Sequence, residues 1–186
     1  MAFREDKAAA LAAIFLERAG GELEYLKLLK LMYLAERESL LSVGGSITND
    51  IFVSMKHGPV MSTTYDLIKE NWEDLDHETW EASFAKHGFR LRLWKSPPVA
   101  DILSPFEVEL ADRIWSQFGK VNQWELVDWI HETFPEWQAT TSAIPIERES
   151  IYRAMGLSED EIQSRLTLQR GTSEFDALLA EAQASS

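Results

Sequence analysis

The chain contains no cysteine. Disulfides, thiolate nucleophiles and the cysteine-based zinc modules are therefore excluded, and nothing points to an oxidising compartment. It also lacks an apolar run of the ~20 residues that a membrane span requires. The longest apolar region, Leu23 to Ala35, is interrupted by Glu24, Lys27 and Lys30. The opening residues, Met1-Ala2-Phe3-Arg4-Glu5-Asp6, lack the basic, apolar and small-residue succession of an export signal, so the expected location is the cytoplasm. Basic side chains are scarce: 18 Lys and Arg stand against 31 Asp and Glu, for a net charge of −13. The imbalance is concentrated late in the chain, with 6 basic and 15 acidic residues in 105–186 compared with 12 and 16 in 1–104. A surface this negative repels phosphate backbones, so nucleic acid is not expected as a direct partner, and without a spanning run neither is a membrane. The same field steers a basic protein toward the chain.

Common catalytic constellations are missing too. The histidines, His57, His77, His87 and His131, show no metal-ligand spacing, and His131-Glu132-Thr133-Phe134-Pro135 lacks the second histidine one helical turn on that zinc peptidases need. There is no glycine-rich phosphate loop, no dinucleotide fingerprint and no Gly-x-Ser-x-Gly elbow. Asp66 and Glu70 share one helix face, which without a pKa-shifting environment reads as a solvated face. The expectation is a protein without catalytic residues, metal or cofactor, hence not an enzyme.

What the chain does have is a composition that folds, with 45% apolar and 26% charged residues, and 186 residues to bury one core. Leu11, Ile14, Phe15 and Ala19 form a helical stripe that Gly20-Gly21 ends. Glu22 to Ser42 reads as a second helix, apolar on nearly all sides and so expected at the centre of a bundle. Ile47 to Lys56 turns to β-branched and aromatic residues and predicts a strand. His57-Gly58-Pro59 interrupts it as a strand-to-helix corner, after which Val60 to Trp72 resumes helical spacing. Trp80 to Phe84 and Phe89 to Leu93 alternate around Lys86-His87-Gly88, a predicted hairpin.

Helices dominate the remainder. Ser104-Pro105-Phe106-Glu107 is a capping box, Asn122 caps a helix through Leu126, Val127, Ile130 and Phe134, and Ser158 to Glu161 is a further box. Trp94, Trp115, Trp124, Trp129 and Trp137 are expected to pack in the core. From Gly171 to Ser186 an acidic, alanine-rich tail carries Phe175, Leu178 and Leu179; it is expected to dock or to fray. The fold class is α+β and predominantly helical, a compact helical domain with a small antiparallel sheet. The domain is placed at 1–145, with a C-terminal helical extension over 146–186 packed on it.

The run from Tyr25 through Leu28-Leu29-Lys30-Leu31-Met32-Tyr33 to Arg37, then Gly45-Ser46-Ile47-Thr48-Asn49-Asp50, then Lys56-His57-Gly58-Pro59-Val60 with Tyr65-Asp66 beyond, resembles the SocA-like antitoxins with a Panacea domain. The resemblance covers about residues 7–140, and Glu136-Trp137 is similar to the family's later segment. It implies a mostly helical domain that neutralises a cognate toxin, encoded beside it, by direct protein binding. Some relatives deliver the toxin to a bacterial protease, so a proteolytic adaptor role is implied as a second capacity. No catalytic residue is carried over. The candidate partner-binding positions are Lys30, Tyr33, Lys56, His57, Gly58, Pro59, Tyr65, Asp66 and Trp137. The competing reading is a small hydrolase-like enzyme with His57 as acid or base beside Asp66. A DNA-reading unit over 105–134 is disfavoured, because Glu125, Asp128 and Glu132 occupy the helix that would have to be basic. Self-association is left open by the sequence.

Overall fold

The computed structural model describes residues 2–184, excepting the side chains of 172–177 and 179–184. Most of the tail expectation over Gly171 to Ser186 therefore lies outside the described residues. The elements run α1 Glu5–Arg18, β1 Glu22–Glu24, α2 Tyr25–Val43, β2 Phe52–Met55, β3 Gly58–Met61, α3 Ser62–Lys69, α4 Glu78–Ser83, β4 Phe84–His87, β5 Arg90–Leu93, α5 Val99–Ile102, α6 Pro105–Phe118, α7 Gln123–Thr133, β6 Ile144–Pro145, α8 Arg148–Ala154 and α9 Glu159–Ala184. The fold is α+β and predominantly helical, as expected from the sequence, with two three-stranded antiparallel sheets in place of one, ordered β1-β5-β4 and β3-β2-β6.

Two helices occupy the centre. Every residue from Ala8 to Leu16 of α1 is buried, and the alanines at 8, 9, 10, 12 and 13 let α2, α4, α5 and α6 approach its backbone closely. In α2, Lys27 through Glu36 are all buried, which is the central placement its all-round apolar pattern predicts. Charged residues inside such a helix need partners. Glu36 finds four: its carboxylate accepts from Ser46 Oγ, Ile47 N, Thr48 N and Thr48 Oγ1, fixing the segment that leads to β2. Asp50 continues the same device. It accepts from Ile51 N, Thr63 N, Thr64 N and Thr64 Oγ1, and so satisfies the first amides of α3 from a distant loop.

Four boundaries differ from the sequence reading. Residues 22–24 are a strand, not the first turn of a helix, because Leu23 pairs with Leu91 of β5. His57-Gly58-Pro59 is the turn of a hairpin and not a strand-to-helix corner: Met55 pairs with Gly58, and Ser54 with Pro59. β3 lies at the sheet edge, where a residue lacking a donor is tolerated. Trp80 to Ser83 is helical, with Glu5 accepting from the Trp80 amide, so the hairpin begins only at Phe84. Ile144–Pro145, not anticipated as a strand, pairs with Ser54 and Val53. The three caps, by contrast, form where expected: Ser104 with Glu107, Asn122 with the Trp124 amide, and Ser158 with Glu161. From α9, Arg165 donates to the carbonyls of Leu40, which already accepts from the Gly44 amide, and of Leu41, both in the last turn of α2.

Candidate functional site

Lys30 sits at the fourth buried position of α2, where it projects beneath the β2–β3 turn. Its side chain is fully buried and donates to the Pro59 carbonyl at 2.7 Å. Gly58, at φ +99°, adopts a conformation that side chains rarely take, and a Cβ there would come within 3.2 Å of Lys30 Nζ and 3.5 Å of His131 Nε2. The missing side chain is what lets the turn close over the lysine. Burial pulls the Lys30 pKa down to about 7.

A cavity of about 540 Å³ opens from this point. Lys30, Lys56 and His57 are its ionisable cations or bases, Tyr25, Tyr65, Phe89 and Trp124 supply aromatic walls, and Leu29 and Val60 lie among its apolar residues. Among the described residues, no carboxylate lines it. The His57 ring meets Trp124 edge-on with centroids 5.4 Å apart. His131, two turns further along α7, stacks on Trp137 with centroids 3.7 Å apart and planes within 6°. Trp137 Nε1 in turn donates to the Met55 carbonyl at 2.9 Å, which pins α7 and the segment after it to the hairpin. His131 Nε2 is buried without a hydrogen-bond partner. Its pKa is lowered by burial first, and then by Lys30.

The nine candidate positions are divided among three environments. Lys30, Lys56, His57, Gly58 and Tyr65 line the cavity, Pro59 holds the Lys30 amine, and Trp137 braces the hairpin from behind. Tyr33 belongs to a separate buried cluster: its hydroxyl donates to Glu136 Oε1, which also takes Arg37 Nε at 2.6 Å, while the Arg37 guanidinium lies 4.1 Å from the centre of the Phe134 ring. Burial raises the Tyr33 pKa well above its ordinary value, so this hydroxyl stays protonated. Asp66 borders a different groove with Glu70, Asn71 and Trp72. The His57–Asp66 pairing required by the hydrolase reading is therefore not formed.

The sequence reading missed Tyr25, Phe89, Trp124 and His131 as neighbours of this corner. They come from α2, the β4–β5 turn and α7, and only the tertiary fold brings them together. The expectation of core tryptophans is overturned at Trp94, which is 78% exposed, and at Trp124 and Trp129, which are 50% and 37% exposed. Trp124, Glu125, Asp128, Trp129 and Glu132 form the outward face of α7, opposite the buried Leu126, Val127 and Ile130. Trp129 rests one edge on Phe118 and Phe134, leaving the rest open.

Among the described residues, no group of three or more acidic, histidine or cysteine side chains could hold a metal ion, and no helix is long and apolar enough to cross a membrane. A family model described as the antitoxin SocA-like, Panacea domain, matches residues 28–138. The match begins inside α2 and ends just past Trp137, so it takes in Lys30, the hairpin turn and all of α7. Neither a curated protein nor a solved structure matches the chain.

Proposed function

The chain belongs to the SocA-like, Panacea-domain antitoxin family, and from that premise we propose that it neutralises a cognate toxin by holding it on the outward face of α7. The observation that carries this reading is the make-up of that face. Two part-exposed tryptophans, Trp124 and Trp129, are each steadied along one edge by a neighbouring ring, and Glu125, Asp128 and Glu132 stand exposed beside them. Rigid, partly open aromatic anchors are the residues most enriched at binding hot spots, because little side-chain freedom is lost when a partner covers them. The carboxylates around them supply the orientation and the encounter rate for a basic partner, and a net charge of −13 extends that attraction outward. The toxin is thus expected to present a basic surface, and inhibition follows when α7 covers it.

The test is co-expression with the product of the adjoining reading frame, scoring growth and co-purification. Under this reading that product alone arrests growth, the pair restores it, and the two elute together in fixed stoichiometry. A harmless neighbour, or a toxic one that neither binds nor is relieved, sinks the proposal.

A further inference from the structure

The cavity above Lys30 shares Trp124 with the outward face of α7, but its chemistry is opposite in sign. In a chain of net charge −13 it is lined by Lys30, Lys56 and His57, without one carboxylate among the described residues. Lys30 is the residue that most needs an explanation. An ammonium has three donors, and the Pro59 carbonyl takes one. Among the described residues it forms no ion pair, so nothing there offsets the cost of its charged form, which an incoming anion would stabilise. Beside it, His131 Nε2 is buried without a hydrogen-bond partner. Gly58 keeps the space over both groups free of a side chain.

The size and walls narrow the occupant. A volume of about 540 Å³ falls in the range of small-molecule sites, roughly 300–1,000 Å³. The rings of Tyr25, Phe89 and Trp124 stand around the cavity, and Phe89 is 79% exposed at its mouth. Lys30 is fully buried while the aromatic residues of the lining are more open, an arrangement suited to one small anionic group on a flat body. We propose that this cavity binds a small aromatic carboxylate, its anionic group on Lys30 and its ring among Tyr25, Phe89 and Trp124.

Binding is linked to a proton. Unliganded Lys30 titrates near pH 7, and a bound carboxylate favours its charged form, so above pH 7 the complex takes up a proton at Nζ. The other titratable groups facing the cavity are Lys56 and His57 on the turn, Tyr25 from α2 and Tyr65 from α3, with His131 of α7 against Lys30. None of these is an acid that would already serve as the counter-charge.

The experiment is calorimetry on the full chain at pH 8, in two buffers of different ionisation heat. The probes are indole-3-acetate, 1-naphthaleneacetate, their uncharged amides, and a short peptide ending in a tryptophan carboxylate. The expected result is that at least one free acid binds about tenfold or more tighter than its amide, with proton uptake approaching one. Lys30→Met, checked for folding by circular dichroism, abolishes both the preference and the uptake. Trp124→Ala, at the exposed rim, weakens acid and amide alike. Equal affinity for acid and amide, a preference that survives Lys30→Met, binding of the peptide alone, or no binding of any probe overturns the proposal. Should Lys30→Met not fold, the proton uptake of the wild-type chain decides by itself.

Discussion

Glu36 and Lys30 lie nearly two turns apart on the central helix α2, and they meet burial differently. Glu36 is surrounded by donors from Ser46, Ile47 and Thr48, so its removal leaves two backbone amides inside the protein without an acceptor. Glu36→Ala is expected to cost about 3 kcal/mol or more of unfolding free energy, read from the denaturation midpoint; a change below about 1 kcal/mol would contradict that role. Lys30 has one accepting partner, and burial holds its pKa near 7, below the ordinary lysine value of 10.5. Between those values the unfolded chain binds more protons than the folded one, so stability rises with pH across the window from about 7 to 10.5. Lys30→Met lacks that increment. Urea unfolding at pH 6.5 and 9.5 should show the wild type gaining on the variant by a few kcal/mol at the higher pH, whereas parallel behaviour would mean that Lys30 is not held neutral.

At the scale of elements, helix starts are set by local chemistry. In α6 the Ser104 hydroxyl accepts from the Glu107 amide, while the Glu107 carboxylate accepts from the Ser104 amide. Ser104→Ala should lower stability by about 1 kcal/mol, measurable as a fall in Tm without change in the shape of the transition. Because a cap involves residues only two or three apart, all three caps were legible in the sequence, as were the helical character and the central place of α2. What was not legible depends on distant partners. Glu22–Glu24 is extended because β5 lies beside it, and α4 begins where Glu5 meets the Trp80 amide, 75 residues away. The His57-Gly58-Pro59 turn was recognised as a corner, but its hairpin form follows from the pairing of β2 with both β3 and β6. The candidate site was half legible for the same reason: Lys30 and the turn stand out locally, whereas Phe89 and Trp124 become their neighbours only in the fold.

For the whole molecule, charge and exposed aromatic surface determine what can approach. The acidic excess that sequence composition places after residue 104 is displayed by α7 beside Trp124 and Trp129, while the cavity under the hairpin is cationic. The chain thus presents two surfaces of opposite sign that share Trp124, one suited to a basic protein and the other to a small anion. Association with the toxin should weaken as ionic strength rises, since exposed charges a Debye length apart are screened. The central claim, that the outer face of α7 holds the toxin, is tested most directly by titrating the purified toxin into the wild-type chain and into a variant carrying Glu125→Lys, Asp128→Lys and Glu132→Lys. A second variant with Glu17, Glu73 and Asp76 reversed, all exposed and outside α7, controls for net charge. The expected result is a loss of affinity of about tenfold or more for the α7 variant, with Tm within a few degrees of wild type and a much smaller loss for the control. Equal affinity for the wild type and the α7 variant would contradict the claim.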